Sequence, residues 1–107
     1  MTVPEIQARE VPADAYLLDV REQVEWVAGH APAAVHIPLG ELQMRVEEVP
    51  ADQTLYVLCR IGGRSYNAAA WLNHIGRKAV NVEGGMQAWE AAGREMVSET
   101  GQSPFVA

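Results

Sequence analysis

The chain has 107 residues, 49% of them hydrophobic, and a net charge of −6 at pH 7. Its length fits a single domain spanning 1–107, and its composition is typical of a globular protein. The acidic charge argues against nucleic acid as a partner. No apolar run is long enough to span a bilayer and no secretory signal is visible, so we expect a cytoplasmic protein without a membrane partner.

Cys59 is the single cysteine of the chain. One cysteine cannot form an intrachain disulfide or a thiolate-rich zinc site, and the histidines show no metal-ligand spacing. We therefore predict no metal site. Most lone cysteines are buried and unreactive, so the neighbours of Cys59 must decide its role.

Those neighbours are locally basic. No acidic residue lies between Asp52 and Glu83, and four of the eight basic residues fall in that stretch: Arg60, Arg64, Arg77 and Lys78. This pattern is either chance in a short chain or the mark of a small anion site around Cys59.

Strands and helices are predicted to alternate along the chain, from apolar spacing and the positions of Gly and Pro. In chain order they are strands at Val3–Ile6 and Tyr16–Leu18, a helix at Glu22–Ala28, a strand at Val35–Ile37, a helix at Leu42–Val49, a strand at Leu55–Leu58, a helix at Arg64–Ile75, a strand at Ala79–Val82 and a helix at Met86–Ala92. The tail 94–107 has no clear period and is expected on the surface. Apolar strands alternating with helices predict an α/β domain with a mostly parallel sheet.

The segment after the Leu55–Leu58 strand has the features of an anion-binding loop. Ligands of open α/β sheets bind beyond the carboxyl ends of the strands, which is where Cys59 stands. Gly62 and Gly63 allow positive φ, so that successive N–H groups can turn inward. The N-terminus of the following helix adds free donors and a positive dipole end. Such surroundings lower the pKa of a thiol and favour a thiolate nucleophile.

Three polar side chains in this loop are candidates for substrate binding. Arg60 and Arg64 can hold an anionic substrate through their planar guanidinium groups. Ser65 can cap the helix or donate its hydroxyl to the anion. Each residue also has a plain structural interpretation, since Gly62 and Gly63 suit an ordinary turn and either arginine can be a surface residue.

The segment Cys59–Ser65 resembles the active-site loop of the rhodanese family. Leu18–Glu22, continuing through Gly29-His30 to Ile37-Pro38, is similar to the first motif of that family, and Val80–Trp89 is similar to its closing motif. The resemblance runs from about residue 16 to residue 93. It implies a three-layer fold, with a central sheet of about five parallel strands and helices on both faces.

The resemblance also implies a chemistry. Cys59 would carry sulfur as a persulfide, cradled by the backbone N–H groups of Arg60, Ile61, Gly62, Gly63, Arg64 and Ser65. The implied activity is transfer of a sulfane sulfur from a small anionic donor, such as thiosulfate, to a thiol or cyanide acceptor. No cofactor is implied beyond the covalent intermediate.

Two alternatives stay open. A phosphatase or arsenate reductase on the same fold is disfavoured, because four residues separate Cys59 from Arg64 where cysteine phosphatases have five. A sulfur-relay or regulatory module that acts with a partner protein is not separated from a free-standing enzyme by the sequence.

A few residues outside the loop complete the expectations. Asp19 and Arg21 follow a strand end on the same side as Cys59, and a structural role is favoured for both: Asp19 accepting backbone N–H bonds and Arg21 pairing with a carboxylate. His30 is interpreted as a structural histidine. Ala33 stands where the family usually has glycine, so the turn there is expected to differ.

Overall fold

Within residues 2–107, which are those that the computed structural model describes, five short strands form one sheet. Met1, which belongs to the predicted 1–107 domain, lies outside these residues. The strands are β1 (Glu5–Gln7), β2 (Tyr16–Asp19), β3 (Val35–His36), β4 (Thr54–Leu58) and β5 (Lys78–Glu83). Their order is β1-β5-β4-β2-β3 and every neighbouring pair is parallel, which confirms the predicted fold class.

The helices of the described residues are α1 (Gln23–Ala28), α2 (Gly63–His74) and α3 (Gly85–Ala91). Successive residues of β4 point to opposite faces of the sheet, so the strand contributes to two cores. Leu55 and Val57 pack with Ala68 and Leu72 of α2. Leu58 packs on the other face with buried residues of α3 that include Met86. A strand buried on both faces explains the continuous apolar run that predicted it.

The predicted helix at Leu42–Val49 is wrong. The region instead holds 3₁₀ turns at Leu39–Glu41 and Val46–Glu48, joined by a tight turn. Arg45 has non-helical angles of φ −112° and ψ 14°, so the backbone leaves the helical path there and the segment is divided into two short 3₁₀ turns. Leu42 and Val49 are nevertheless buried, so their apolar spacing was informative although the element was not helical.

The other boundaries shift by one or two residues. The first strand begins at Glu5 rather than Val3, and α2 includes Gly63 and ends at His74. Glu22 is the N-cap of α1 rather than its first residue, and it exchanges capping bonds with Glu25. None of the helices of residues 2–107 combines the length and the apolar character required to cross a membrane.

The tail 94–107 contains no helix or strand and none of its residues is buried, as predicted, but main-chain hydrogen bonds fix it to the fold. Val97 exchanges both main-chain hydrogen bonds with His30, at 2.9 Å each. Further along, the N–H of Phe105 donates to the carbonyl of Ala28 at 3.1 Å, and Val106 packs against the core on the α3 face. The tail therefore lies against the C-terminal end of α1.

Candidate active site

Cys59 directly follows β4, and its side chain is buried. Three donors lie within hydrogen-bonding distance of its Sγ atom: the N–H of Gly62 at 3.2 Å, the N–H of Ser65 at 3.3 Å and the Ser65 hydroxyl at 3.2 Å. Gly62, which donates the first of these bonds, has a φ of +109°, a conformation that favours glycine. The loop thus turns its donors toward the sulfur.

The opposite side of the loop is held by α3. The carbonyl of Cys59 accepts a bond of 2.8 Å from the N–H of Met86, and the carbonyl of Arg60 accepts one of 3.0 Å from the N–H of Gln87. A Cβ on Gly85 would collide with the Cys59 carbonyl, so only glycine permits this approach. The carbonyls of Cys59 and Arg60 are directed at the start of α3. The N–H groups of the loop are therefore free to face the sulfur.

The pKa of the Cys59 thiol lies below its ordinary value. Burial, the largest influence, raises the pKa, whereas the hydrogen bonds from the Ser65 hydroxyl and from the N–H groups of Ser65 and Gly62, with a smaller contribution from the nearby Ile61 N–H, together lower it by more. These donors stabilise the thiolate more than the thiol. A larger fraction of Cys59 is therefore ionised near neutral pH than in a free cysteine.

Arg64 is paired rather than free. Its two terminal nitrogens both lie 2.8 Å from the carboxylate oxygens of Glu25 in α1. The side chain of Arg64 is 37% exposed and that of Glu25 is 14% exposed. The bond from Arg64 lowers the pKa of Glu25 to about 2, so the pair is charged at neutral pH. An anionic substrate would have to share this guanidinium with Glu25.

Arg60 and Ile61 lie on the outer part of the loop. The Arg60 side chain is exposed and donates from Nε to the main-chain oxygen of Ala107 at 3.0 Å. The Ile61 side chain is 60% exposed. Of the predicted loop residues, the structure brings Gly62 and Ser65 directly onto the sulfur, while the side chains of Arg60 and Arg64 bind other parts of the chain.

Asp19 and Arg21 form a fully buried ion pair at the end of β2. The Arg21 guanidinium bonds both carboxylate oxygens of Asp19, with a shortest distance of 2.8 Å. It also donates to the carbonyl of Gly29 at 2.8 Å, and the N–H of Arg21 donates to Asp19 at 3.1 Å. The pair thus ties the end of β2 to the end of α1, which agrees with the structural role favoured from the sequence.

Asn81 of β5 is a polar residue of the site that sequence reasoning missed. It is 1% exposed, and its Oδ1 accepts a bond of 2.6 Å from the Ser65 hydroxyl. Its Nδ2 donates to the carbonyl of Gly62 at 3.1 Å and to Glu5 at 2.8 Å. The available signal was an amide between two valines in an apolar strand, because a buried amide needs partners.

The remaining predicted residues have structural surroundings. His30 hydrogen-bonds the carbonyl of Ala31 and the carboxylate of Glu99, and its ring stacks on Trp26 at 3.5 Å between centroids. Ala33 does not adopt positive φ, so its Cβ causes no backbone strain. Within residues 2–107, no three His, Cys, Asp or Glu side chains are grouped so that they could hold a metal ion.

A buried cysteine in a donor-lined loop, at the carboxyl end of a parallel sheet, is an arrangement suited to a cysteine nucleophile on an α/β fold. Residues 4–92 match the family described as Rhodanese-like domain. The chain belongs to that family, as the resemblance of its motifs implied.

Relatives with related names and structures support this assignment. The chain is 44% identical over 81 residues to YtwF of Bacillus subtilis (strain 168), provisionally named a sulfurtransferase, covering 76% of this chain and 79% of YtwF. It is 39% identical over 95 residues to YrkF of the same organism, provisionally named a sulfur carrier protein, covering 82% of this chain and 51% of YrkF. A rhodanese-related protein from Thermoplasma volcanium has a crystal structure similar to this fold, with a TM-score of 0.83 and 32% identity, over 88% of this chain and 97% of that one. Sulfur transfer is the general chemistry that these findings support.

Proposed function

We propose that this protein moves a single sulfane sulfur through a persulfide on Cys59, from an anionic donor such as thiosulfate to a thiol or cyanide acceptor. The observation that carries the proposal is the set of three donors on the Cys59 sulfur, which stabilises a negatively charged sulfur in a buried site. The same loop suits the persulfide anion, which carries the same single charge.

The first step forms the persulfide. The Cys59 thiolate attacks the outer sulfur of thiosulfate, a new S–S bond forms, and the bond from that sulfur to the sulfonate group breaks with its electron pair leaving as sulfite. The total charge is −3 on both sides of this step. Because Cys59 reacts as a thiolate, no general base is required.

The second step returns the enzyme to its starting state. Cyanide, or the thiolate of a cellular thiol, attacks the outer sulfur of the persulfide, and the S–S bond breaks with its electron pair returning to Cys59. The Gly62 and Ser65 donors that hold the attacking thiolate then stabilise the same group as the leaving group. The chemistry needs a reduced thiol, which fits a cytoplasmic location for the protein.

A mass measurement tests the proposal. After incubation with thiosulfate, the peptide that carries Cys59 is expected to gain one sulfur atom, about 32 Da, and the gain should vanish after treatment with cyanide. Cys59→Ser should show no gain and no turnover, while Ser98→Ala, in the tail, serves as the matched hydroxyl control. Absence of the gain with thiosulfate and with a low-molecular-weight persulfide would overturn the proposal.

A sulfur relay is the second candidate. The similarity to YrkF, together with an Ile61 side chain that is 60% exposed on the loop, favours transfer to or from a protein surface. In a pull-down with persulfide-loaded and unloaded protein, a relay should retain a partner in one state preferentially, and Ile61→Ser should weaken that retention. Equal recovery in both states would argue for a free-standing enzyme.

The phosphatase alternative is tested by a phosphate-ester assay. We expect no hydrolysis of p-nitrophenyl phosphate, because the loop has one residue fewer between Cys59 and Arg64 than cysteine phosphatases have. Turnover of this ester that is lost in Cys59→Ser would show that the loop also accepts a tetrahedral phosphate.

A further inference from the structure

The Ser65 hydroxyl has one proton and two acceptors. Its Oγ lies 2.6 Å from Oδ1 of Asn81 and 3.2 Å from Sγ of Cys59. A serine hydroxyl donates a single hydrogen bond at a time, although its lone pairs can accept others. Ser65 is fully buried, so the proton must point to one of these two atoms.

The orientation of the Asn81 amide follows from its partners. Nδ2 donates to Oε2 of Glu5 in β1 and to the carbonyl of Gly62, both of which are acceptors. Oδ1 is therefore the end that faces Ser65, since the reverse orientation would oppose acceptors to an oxygen. Asn81 is 1% exposed, so its oxygen has no access to bulk water and depends on Ser65 for a donor.

We propose that Asn81 is a positioning residue that controls the ionisation of Cys59 by competing for the Ser65 proton. While Cys59 is a thiol, Ser65 donates to Asn81, and the S–H group can donate to the Ser65 oxygen. When Cys59 loses its proton to solvent, the Ser65 O–H turns to Sγ, and Oδ1 of Asn81 is left without a donor. Each ionisation of Cys59 therefore costs one buried hydrogen bond at Asn81.

Glu5 fixes the orientation of the Asn81 amide. Its carboxylate accepts from Nδ2 and so keeps Oδ1 turned toward Ser65. The hydrogen-bonded series therefore runs from Glu5 through Asn81 and Ser65 to Cys59, and connects the first strand with the loop. The other charged groups around the loop are engaged elsewhere: the Asp19–Arg21 pair from β2, the Arg64–Glu25 pair between α2 and α1, and Arg60, which bonds Ala107. Glu83 at the end of β5 is exposed.

This inference deepens the proposed function, because the thiolate is the proposed attacking group. Its test does not require sulfur transfer. Cys59 is the only cysteine, so the rate of alkylation by iodoacetamide as a function of pH reports its ionisation alone. If the protein does not transfer sulfur, the alkylation rate still reports the ionisation of Cys59, so the two proposals can fail separately.

The decisive experiment is a double-mutant cycle on the apparent pKa of Cys59, with wild type, Asn81→Leu, Ser65→Ala and the double variant. Asn81→Leu removes the competing acceptor. Relative to its effect in the Ser65→Ala background, it should lower the apparent pKa by roughly half a unit to one unit, a three- to tenfold gain in thiolate at low pH. A change that merely loosens the loop would be the same in both backgrounds.

Asn81→Asp combined with Glu5→Gln is a second variant, and it is expected to shift the apparent pKa of Cys59 in the opposite direction. The carboxylate is a stronger acceptor for the Ser65 proton, and the new glutamine amide restores a donor toward residue 81, so only the bond to the Gly62 carbonyl is lost. Relative to the Ser65→Ala background, the apparent pKa should rise. This variant decides the question if circular dichroism shows that Asn81→Leu does not fold.

Asn73→Leu is the matched control. Asn73 lies on α2 and makes an equivalent pair of amide bonds, to the N–H and the carbonyl of Ala79 in β5, without contacting Ser65. It should lower the melting temperature and leave the apparent pKa of Cys59 unchanged. Equal effects of the Asn81 variants with and without the Ser65 hydroxyl would overturn the proposal.

Discussion

Two arginine–carboxylate pairs lie at the same edge of the sheet, and they differ in burial. Arg21 and Asp19 are both fully buried, whereas Arg64 is 37% exposed in its pair with Glu25. Each pair is bidentate. Removing one member of the Asp19–Arg21 pair is costly, because an uncompensated charge would remain buried. In the Glu25–Arg64 pair, water can take the place of either partner. The difference separates a structural brace from a group that can be released toward a ligand.

Removing one half of the buried pair is expected to have the largest effect. Arg21→Met should lower the free energy of unfolding by about 3–5 kcal/mol, because it leaves the Asp19 carboxylate unpaired in the core. Urea unfolding followed by circular dichroism measures this change. The double variant Asp19→Leu with Arg21→Met should cost less than Arg21→Met alone. If the single variant loses less than about 1 kcal/mol, the pair contributes no more than a surface salt bridge and is not a structural brace.

Releasing Arg64 should affect substrate binding more than stability. In the thiosulfate–cyanide assay, Glu25→Gln is expected to lower the KM for thiosulfate roughly two- to fivefold, because it frees the guanidinium and removes a negative charge. Arg64→Gln should raise the KM and leave the melting temperature nearly unchanged. If both variants shift KM in the same direction, the pair acts as a brace and not as an anion site.

The smallest expected effect is a dependence of stability on acid pH. The pKa of Glu25 is lowered to about 2 in the folded protein, so its pair contributes stability above the ordinary pKa of a glutamate and loses it as the pH falls toward 2. The loss should be at most about 1 kcal/mol, since the pair is partly exposed. Subtracting the unfolding curves of Glu25→Gln from those of wild type between pH 5 and pH 2 isolates it. If the difference in unfolding free energy does not change with pH, the bond to Arg64 does not lower the pKa of Glu25.

The local part of the site was predictable from the sequence. A strand that ends at Cys59, followed by two glycines and a helix, defines a loop from neighbouring residues, and the structure has that loop. The parallel sheet was predictable for a similar reason, since apolar strands alternate with helices.

Contacts between distant segments were not predictable. Glu25 and Arg64 are 39 residues apart, and Glu5 and Asn81 are 76 apart. Spacing along a chain shows which face of an element a residue occupies, but the partner of that residue depends on how the elements pack. Leu42–Val49 failed for the converse reason: its apolar positions were right, while the backbone at Arg45 leaves the helical region and divides the segment into two 3₁₀ turns.

The bond between Arg60 and Ala107 couples the tail to the loop that carries Cys59. The two residues are 47 apart along the chain, yet Nε of Arg60 donates to the main-chain oxygen of Ala107 at 3.0 Å. The same tail is bonded to His30 and Ala28, so it contacts the end of α1 as well as the loop. An anion that attracts the Arg60 guanidinium would compete with Ala107 for it, so ligand binding at the loop would also change how the end of the tail is held.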